Sequence, residues 1–269
     1  MDIERLYDLS HWITYPISVL TMFGAAQVGR RLGRGVRARR PGADAGQIKT
    51  FESCLLGLLA FMIGFTFSLA NAQLEAGKAV VVGEANAVRT AALRASLLSE
   101  PQSAEATRLL RAYVDTRIAL AAAGGAPSRT GRAVDDASLL QGRLRVQAAA
   151  ALAVSAPAVV NPFVQSLGEI GEFHAKRLAA DRNHVPEAAF VLLYLIAVVA
   201  LGFVGYESGL EGSPNLVPTA ILVLAIATVI LLVTDLDQRH AGFVVVSQQP
   251  MVDLREDLAR QPTPRGSGP

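Results

Sequence analysis

The chain has 269 residues, of which 51% are hydrophobic and 18% are charged, and its formal net charge is +2. It is more apolar and less charged than soluble domains usually are. The additional apolar residues are concentrated in four windows, at residues 12–28, 54–74, 188–206 and 216–234. They leave too little polar sequence to cover them, so the composition excludes an ordinary soluble domain and predicts a multi-pass membrane protein.

The last three windows hold no charged residue. Each is long enough to cross about 30 Å of hydrocarbon, which takes roughly 20 apolar residues. The first window contains Pro16 and several hydroxyl groups, but aromatic residues flank one end and arginines the other, as at membrane interfaces. We therefore predict an all-α membrane protein with four transmembrane helices, near residues 12–30, 52–74, 187–206 and 215–234.

A cleaved signal peptide is the alternative for the first window. Its leading region should be basic, yet Asp2, Glu4 and Asp8 outnumber Arg5 there, and the arginines follow the apolar run. The single cysteine, Cys54, forms no internal disulfide and is expected to be a small apolar helix residue.

The remaining sequence divides around these windows. We predict a first transmembrane pair at 1–74 with a basic loop at 29–50, an extramembrane helical domain at 75–186, a second transmembrane pair at 187–234, and a C-terminal segment at 235–269 with a disordered tail. Within the helical domain, Gly, Pro and Ser predict a loop at 124–132, and helices are expected near 99–123, 134–154 and 163–183. Residues 207–214 are predicted to form a loop, and the β-branched run 243–246 a short strand or an interfacial segment.

The stretch "GFTFSLANAQLEAGKAVVVGEANAV" at residues 64–88 changes from apolar to polar composition without a helix breaker. We therefore predict one continuous helix from about residue 51 to residue 98, where "SEP" ends it. Such a helix is on the order of 70 Å long at 1.5 Å per residue. A plain helical hairpin with a stalk fits the spacing equally well.

A search for catalytic and metal-binding motifs finds none of the usual phosphate, dinucleotide, zinc or serine-hydrolase signatures. "GYESG" at 205–209 is one position away from a serine-hydrolase motif but has no strand before it. Glu169, Glu172 and His174 are the one cluster of possible metal ligands, and they lack the Glu-x-x-His spacing of a carboxylate metal site. The uncharged windows argue against an ion-coupled transporter, which usually places ionisable groups in the membrane, but are compatible with a channel.

Three stretches resemble a known family. They are "LLGLLAFMIGFTFSLANAQLEAGKAVVVGEANAVRTAALRASLL", "LLRAYVDTRIAL" and "DLDQRHAGFVVVSQQPM", at residues 55–98, 109–120 and 235–251. They are similar to the bestrophin-like family of bacterial multi-pass membrane proteins of unknown function. This chain departs from the family at "AQLEAGK", where basic residues are usual, and at Gln238, Arg239 and His240, which replace an Arg-Pro-Phe.

The resemblance implies an oligomer in the bacterial plasma (inner) membrane, because bestrophins are pentameric ion channels whose second helix lines a narrow hydrophobic neck. The candidate pore-lining residues recur at helical spacing on one face of the second helix: Phe61, Gly64, Phe65, Ser68 and Asn71. The expected partners are the lipid bilayer, identical subunits and small inorganic ions. No enzymatic activity, cofactor, metal or nucleic acid is expected. The alternative is a non-conducting membrane scaffold or sensor that binds a partner through its helical domain.

Two arguments give opposite predictions for the side of the membrane on which the helical domain lies. Six arginines between Arg30 and Arg40 favour a cytoplasmic position for that segment, and hence an outside position for the helical domain. The basic residues near membrane ends tie at seven on each side, and the bestrophin analogy points to a cytoplasmic domain. We predict the arginine segment inside, because so many clustered charges are hard to translocate.

Overall fold

A computed structural model of the chain describes residues 3–39, 46–122, 127–182, 185–212, 216–237 and 246–260. This part of the chain is helical and contains no strand. Its helices are α1 (Ile3–Arg39), α2 (Gly46–Ala95), α3 (Gln102–Ala122), α4 (Pro127–Ala151), α5 (Pro157–Arg182), α6 (Glu187–Glu211), α7 (Leu216–Asp237) and α8 (Gln249–Arg260).

The helices cluster into two compact units. The first, called the membrane unit, contains α1, α6, α7 and the part of α2 up to Gln73. All four of these helices contribute to one apolar core, in which Met22, Leu59, Leu193 and Val223 are buried. The second, called the helical unit, contains α2 from Leu74 together with α3, α4, α5 and α8.

The long helix α2 runs unbroken from Gly46 to Ala95, so the prediction of a continuous helix across residues 70–80 is confirmed. It ends three residues before the predicted Leu98. There, the backbone N–H groups of Leu97 and Leu98 donate to the carbonyls of Arg94 and Ala95, which tightens the last turn.

Three helices, α2, α6 and α7, are long and apolar enough to cross a membrane, whereas four were predicted. The first predicted span lies within α1, which is a single helix of 37 residues. Tyr15, Pro16, Ser18 and Thr21 lower the hydropathy of its apolar stretch. The structure therefore supports three candidate spans.

The predicted loops beside the membrane helices are shorter than expected. Most of the basic loop at 29–50 is helical, because α1 continues to Arg39 and α2 begins at Gly46. Similarly, α6 continues through the predicted loop at 207–214 as far as Glu211. It stops at Gly212, which has a φ of 77° and donates its N–H to the Ser208 carbonyl at 3.2 Å. Glycine accepts this left-handed conformation without a steric penalty.

In the helical unit, two helices begin earlier than predicted. α4 begins at Pro127, inside the predicted loop at 124–132, and α5 begins at Pro157. Proline suits the first position of a helix, because its missing N–H would have no intrahelical partner there. Both prolines lie outside the helices predicted near 134–154 and 163–183.

The C-terminal segment contains a helix that was not predicted, α8. Met251, Leu254 and Leu258 recur at helical spacing along it and are buried in the core of the helical unit. The predicted strand or interfacial segment at 243–246 and the predicted disordered tail lie outside the described residues, apart from Val246, which packs against the same core.

Glycines form a close seam between α1 and α6. A Cβ on Gly29 would overlap the carbonyl of Gly202, and a Cβ on Gly205 would overlap the carbonyl of Ala26. Gly33 lies equally close to Tyr206, and Gly209 to Arg30. The segments "GRRLG" and "GYESG" are therefore small-xxx-small packing motifs, which allow α1 and α6 to approach closely.

We predict that Gly205→Ala destabilises the membrane unit by about 1–3 kcal/mol, because the added methyl group meets the backbone of α1, which has no rotamer to change. The matched control is Gly24→Ala, since a Cβ on Gly24 meets nothing within 4 Å. Thermal unfolding of the detergent-solubilised chain measures both. Equal melting temperatures for the two variants would refute the seam.

Candidate functional site

The candidate pore-lining residues all lie on an exposed face of α2 in the membrane unit. Phe61 is 66% exposed and Phe65 is 53% exposed, and Gly64, Ser68 and Asn71 are exposed beside them. The rings of Phe61 and Phe65 stack with their centroids 6.4 Å apart. The structure thus places the five residues together on one uncovered surface, here called the α2 face.

The opposite side of α2 is buried within the same unit. Leu59, Thr66 and Ala70 are each at most 2% exposed. The Thr66 hydroxyl donates to the Met62 carbonyl at 2.8 Å, so its polar group is satisfied within the helix. This part of α2 therefore has one face packed inside the chain and one face that no other described residue covers.

The chemistry of the α2 face is that of a surface rather than of a catalytic centre. No charged residue occurs between Glu52 and Glu75. The two phenylalanines form an apolar patch, and Ser68 and Asn71 supply a hydroxyl and an amide one to two turns further along. Identical subunits around an axis would repeat these side chains as rings, first hydrophobic and then polar.

The possible metal ligands suggested by the sequence are not brought together. Glu172 pairs with Lys176 at 2.6 Å on the outside of α5, whereas His174 points into the helical unit. Among the described residues, no group of three or more metal-ligating side chains occurs. Cys54 is an exposed single cysteine.

Sequence reasoning missed a network of buried charges in the helical unit. Glu84 is fully buried and accepts hydrogen bonds at 2.6 Å from both the Tyr113 hydroxyl and Nε of Arg117. Nη1 of Arg177 donates to its second carboxylate oxygen at 2.9 Å. Nη2 of Arg177 also donates to the Gln248 side chain at 2.9 Å. We call these five residues the Glu84 network.

A signal for this network was present in the sequence. Glu84 belongs to the "GEANAV" part of the first family-like stretch, Tyr113 and Arg117 belong to "LLRAYVDTRIAL", and Gln248 belongs to the last stretch. The first two stretches therefore supply the buried carboxylate and two of its donors, and the third reaches it through Arg177. Gly83 makes room beside it, because a Cβ there would overlap the ring of Phe173.

The charges of the network favour an ionised carboxylate. Burial alone would raise the pKa of Glu84, but Arg117 and Arg177, with the hydrogen bond from Tyr113, hold that pKa below its ordinary value. Burial and the neighbouring carboxylate raise the pKa of Tyr113, so its hydroxyl keeps its proton and donates it. The network contains two arginines and one carboxylate, and it is therefore cationic.

His174 lies beside the network and adds a titratable group. Its Nε2 is 3.5 Å from the Ser138 hydroxyl, and its Nδ1 is buried without a hydrogen-bond partner in the described chain. Burial, and then the positive charge of Arg117, lower the pKa of His174; Glu84 opposes this shift, and Arg177 adds to it. The imidazole is therefore held neutral in the folded helical unit.

We predict that the helical unit loses stability as the pH falls below the ordinary histidine pKa of 6.5. The unfolded chain protonates its histidine more readily than the folded one, so stability present above pH 6.5 is lost as pH falls towards the lowered folded pKa. Melting temperatures measured at stepwise lower pH should decline, and His174→Gln should flatten that decline. If the melting temperature of His174→Gln declined with falling pH as steeply as that of wild type, the assignment of this decline to His174 would be wrong. Glu84, with its lowered pKa, contributes a further loss only in stronger acid.

Comparison with known proteins gives a family and a fold. A family model described as a bestrophin-like domain matches residues 17–251. A mutant of a bacterial bestrophin homologue from Klebsiella pneumoniae superposes with a TM-score of 0.61 and 14% identity, covering 94% of this chain and 100% of that chain. The homologue from the same organism solved by Zn-SAD phasing superposes with a TM-score of 0.60 and 14% identity. That match covers 91% of this chain and 95% of that chain.

These structural matches are too distant in sequence to show more than a common fold. No curated protein sequence matches the chain significantly. The family match is different, because it covers most of the sequence, from within α1 to the start of α8. On this match, the chain belongs to the bestrophin-like family.

Proposed function

We propose that this chain assembles into a homo-oligomeric ion channel of the bacterial inner membrane whose pore is lined by the α2 face. The supporting observation is that α2 buries one side within its own chain and leaves Phe61, Phe65 and their neighbours uncovered. The family and its fold add to this support, because bestrophins are ion channels. The number of subunits, five by analogy, is part of the proposal.

We also propose that α1 crosses the membrane as the fourth span. Its apolar stretch is interrupted by hydroxyl groups, but two of these are satisfied inside the unit. The Thr21 hydroxyl donates to the Ile17 carbonyl at 2.8 Å, and the Tyr15 hydroxyl lies 3.1 Å from that of Thr228. The glycine seam holds α1 against α6, which is apolar enough to span. The boundaries at residues 74, 186 and 234 are proposed as the limits of the membrane pairs.

In this channel, Phe61 and Phe65 form the constriction. Rings of phenylalanine repel water and charge, and a narrow hydrophobic ring can close a pore by dewetting. Ser68 and Asn71 then supply polar groups to ions on the adjacent side of the constriction. Because the lining contains no charge, selectivity depends on pore width and on hydroxyl and amide oxygens.

We predict that Phe65→Ala raises the single-channel conductance or leak current of the reconstituted protein, because it removes a ring from the constriction. The matched control is Phe67→Ala. Phe67 is 41% exposed but lies two residues further along, roughly 200° around the helix, and so outside the same line of side chains. Planar-bilayer recordings of both variants and the wild type provide the measurement.

Equal currents in the two variants would refute the lining by Phe65. A wild-type protein that never conducts, and that is a monomer or a dimer without an axial hole, would support the alternative of a membrane scaffold or sensor. In that case the α2 face would be covered by lipid or by a partner protein. Particle images of the detergent-solubilised protein distinguish a ring from these smaller forms.

We propose that the basic segment of α1 faces the cytoplasm and that the helical unit lies outside, following the bias of basic residues towards the cytoplasmic side. The opposite orientation is the one implied by the bestrophin analogy. The two orientations differ in the compartment that exposes the surface of α4.

We predict that Ala149→Cys, combined with Cys54→Ala, is labelled by a membrane-impermeant thiol reagent in intact cells. Ala149 is exposed on α4, and Cys54 is the one native cysteine. Labelling only after lysis would show that the chain has the opposite orientation, with the helical unit in the cytoplasm. The Cys54→Ala parent, which lacks a thiol, is the control for background.

A further inference from the structure

The last turns of α1 carry an exposed basic surface. Arg31, Arg34, Arg37 and Arg39 are all exposed, and no carboxylate in the described ranges forms an ion pair with any of them. Two apolar side chains are exposed on the same stretch, Val28 at 56% and Leu32 at 60%. We call the four arginines the α1 basic surface.

The glycine seam fixes the level at which this surface lies. Gly33 packs against the backbone of Tyr206, and Gly209 packs against that of Arg30. Tyr206 is the last residue of the apolar window of α6, and Glu207, which follows it, lies 3.8 Å from Lys49. The arginines therefore begin where the apolar part of the unit ends.

The surface then extends through the depth of a headgroup layer. Arg31 to Arg39 rise about 12 Å along the helix at 1.5 Å per residue. The polar region on each side of a bilayer is about 5–8 Å deep, and arginine side chains are long enough to bend back towards it. Gly29 and Gly33 occupy the side of α1 that faces α6, and the Arg37 guanidinium lies beside Gly212 at the end of that helix, so Arg31, Arg34 and Arg39 lie on the remaining arc.

We propose that the α1 basic surface binds the phosphate groups of anionic phospholipids. Guanidinium groups bind phosphate oxygens in a bidentate manner, and each basic side chain near an anionic membrane adds attraction. Exposed Val28 and Leu32 would lie among the upper acyl chains, as the apolar side of an interfacial helix does. This proposal depends on the proposed crossing of α1 but not on ion conduction.

The acidic groups at this level weaken the surface without neutralising it. Glu207 is already engaged with Lys49, Glu52 lies beside Glu207, and Glu211 is exposed at the end of α6. These carboxylates are fewer than the arginines of α1. Anionic lipid is therefore preferred over zwitterionic lipid, whose own ammonium group competes for the phosphate.

The test uses the intact chain in an uncharged detergent, with bound lipids counted by native mass spectrometry during titration with phosphatidylglycerol or phosphatidylcholine. The variant is Arg31→Gln, Arg34→Gln and Arg39→Gln combined, which leaves Arg37 in place against Gly212. The control combines Arg143→Gln, Arg145→Gln and Arg255→Gln, three exposed arginines of the helical unit. Both variants lose the same charge.

We expect wild type to prefer phosphatidylglycerol and the α1 variant to lose at least tenfold in affinity for it, since each arginine contributes on the order of fivefold. The control should stay within twofold of wild type. Equal binding of the two lipids, or equal losses in the two variants, would overturn the proposal. Full displacement of the lipid by millimolar inorganic phosphate would do the same, since it would indicate a site for a free anion.

A single-residue variant and a lipid count that is independent of current allow the proposal to be tested even if the triple variant or the channel proposal fails. If the triple variant does not fold, Arg34→Gln alone, checked by its melting temperature, should lose about fivefold in affinity, and an unchanged affinity would overturn the proposal. Lipid binding is counted without any current, so a protein that binds phosphatidylglycerol but never conducts refutes the channel and leaves the lipid site standing.

Discussion

The carboxylate of Glu84 is buried in the helical unit and has three side-chain donors, two of them arginines. Removing a charge from water costs several kcal/mol, and this cost is offset only when well-placed partners surround the charge. Those partners come from α3 and α5, and Arg177 in turn binds Gln248 just before α8. Losing the carboxylate would leave two guanidinium groups without their counterion, and one of them, on Arg117, is 1% exposed. The packing of the helical unit therefore depends on one acid and on the register that brings its partners to it.

The membrane unit is held together by a different interaction. In hydrocarbon there is no gain from moving apolar side chains away from water, so close packing of backbones supplies much of the cohesion. The glycines of α1 and α6 provide that packing, and the buried side of α2 adds Leu59, Thr66 and Ala70. The long helix α2 thus takes part in a core of close apolar contact at one end and in a core organised around charge at the other. Its exposed phenylalanines belong to neither core and are left uncovered by the described part of the chain.

Much of the fold could be predicted from the sequence, because uncharged windows of membrane length and helical periodicity are local properties. The continuity of α2 follows from the absence of any breaker between Gly64 and Val88. The extension of α1 through its arginines was missed because charge was taken as a sign of a loop, although arginine is a good helix former. Glu84, Arg117 and Arg177 lie 33 to 93 residues apart where they pair, and periodicity carries no information about such contacts. The α2 face could be predicted as a line of side chains, but what it lines depends on neighbouring molecules that one sequence does not specify.

The glycine seam has a consequence for biosynthesis. About 170 residues separate Gly29 from its neighbour Gly202, and at about 5–20 residues per second a ribosome needs roughly 10–35 s to make them. During that interval α1, the least apolar of the membrane-unit helices, has no α6 to pack against. If α1 crosses the membrane as proposed, the translocation machinery or the surrounding lipid must hold it there until α6 is synthesised. A substitution in "GYESG" would then act on the nascent chain as well as on the finished protein, by leaving an early helix without the late partner that secures it.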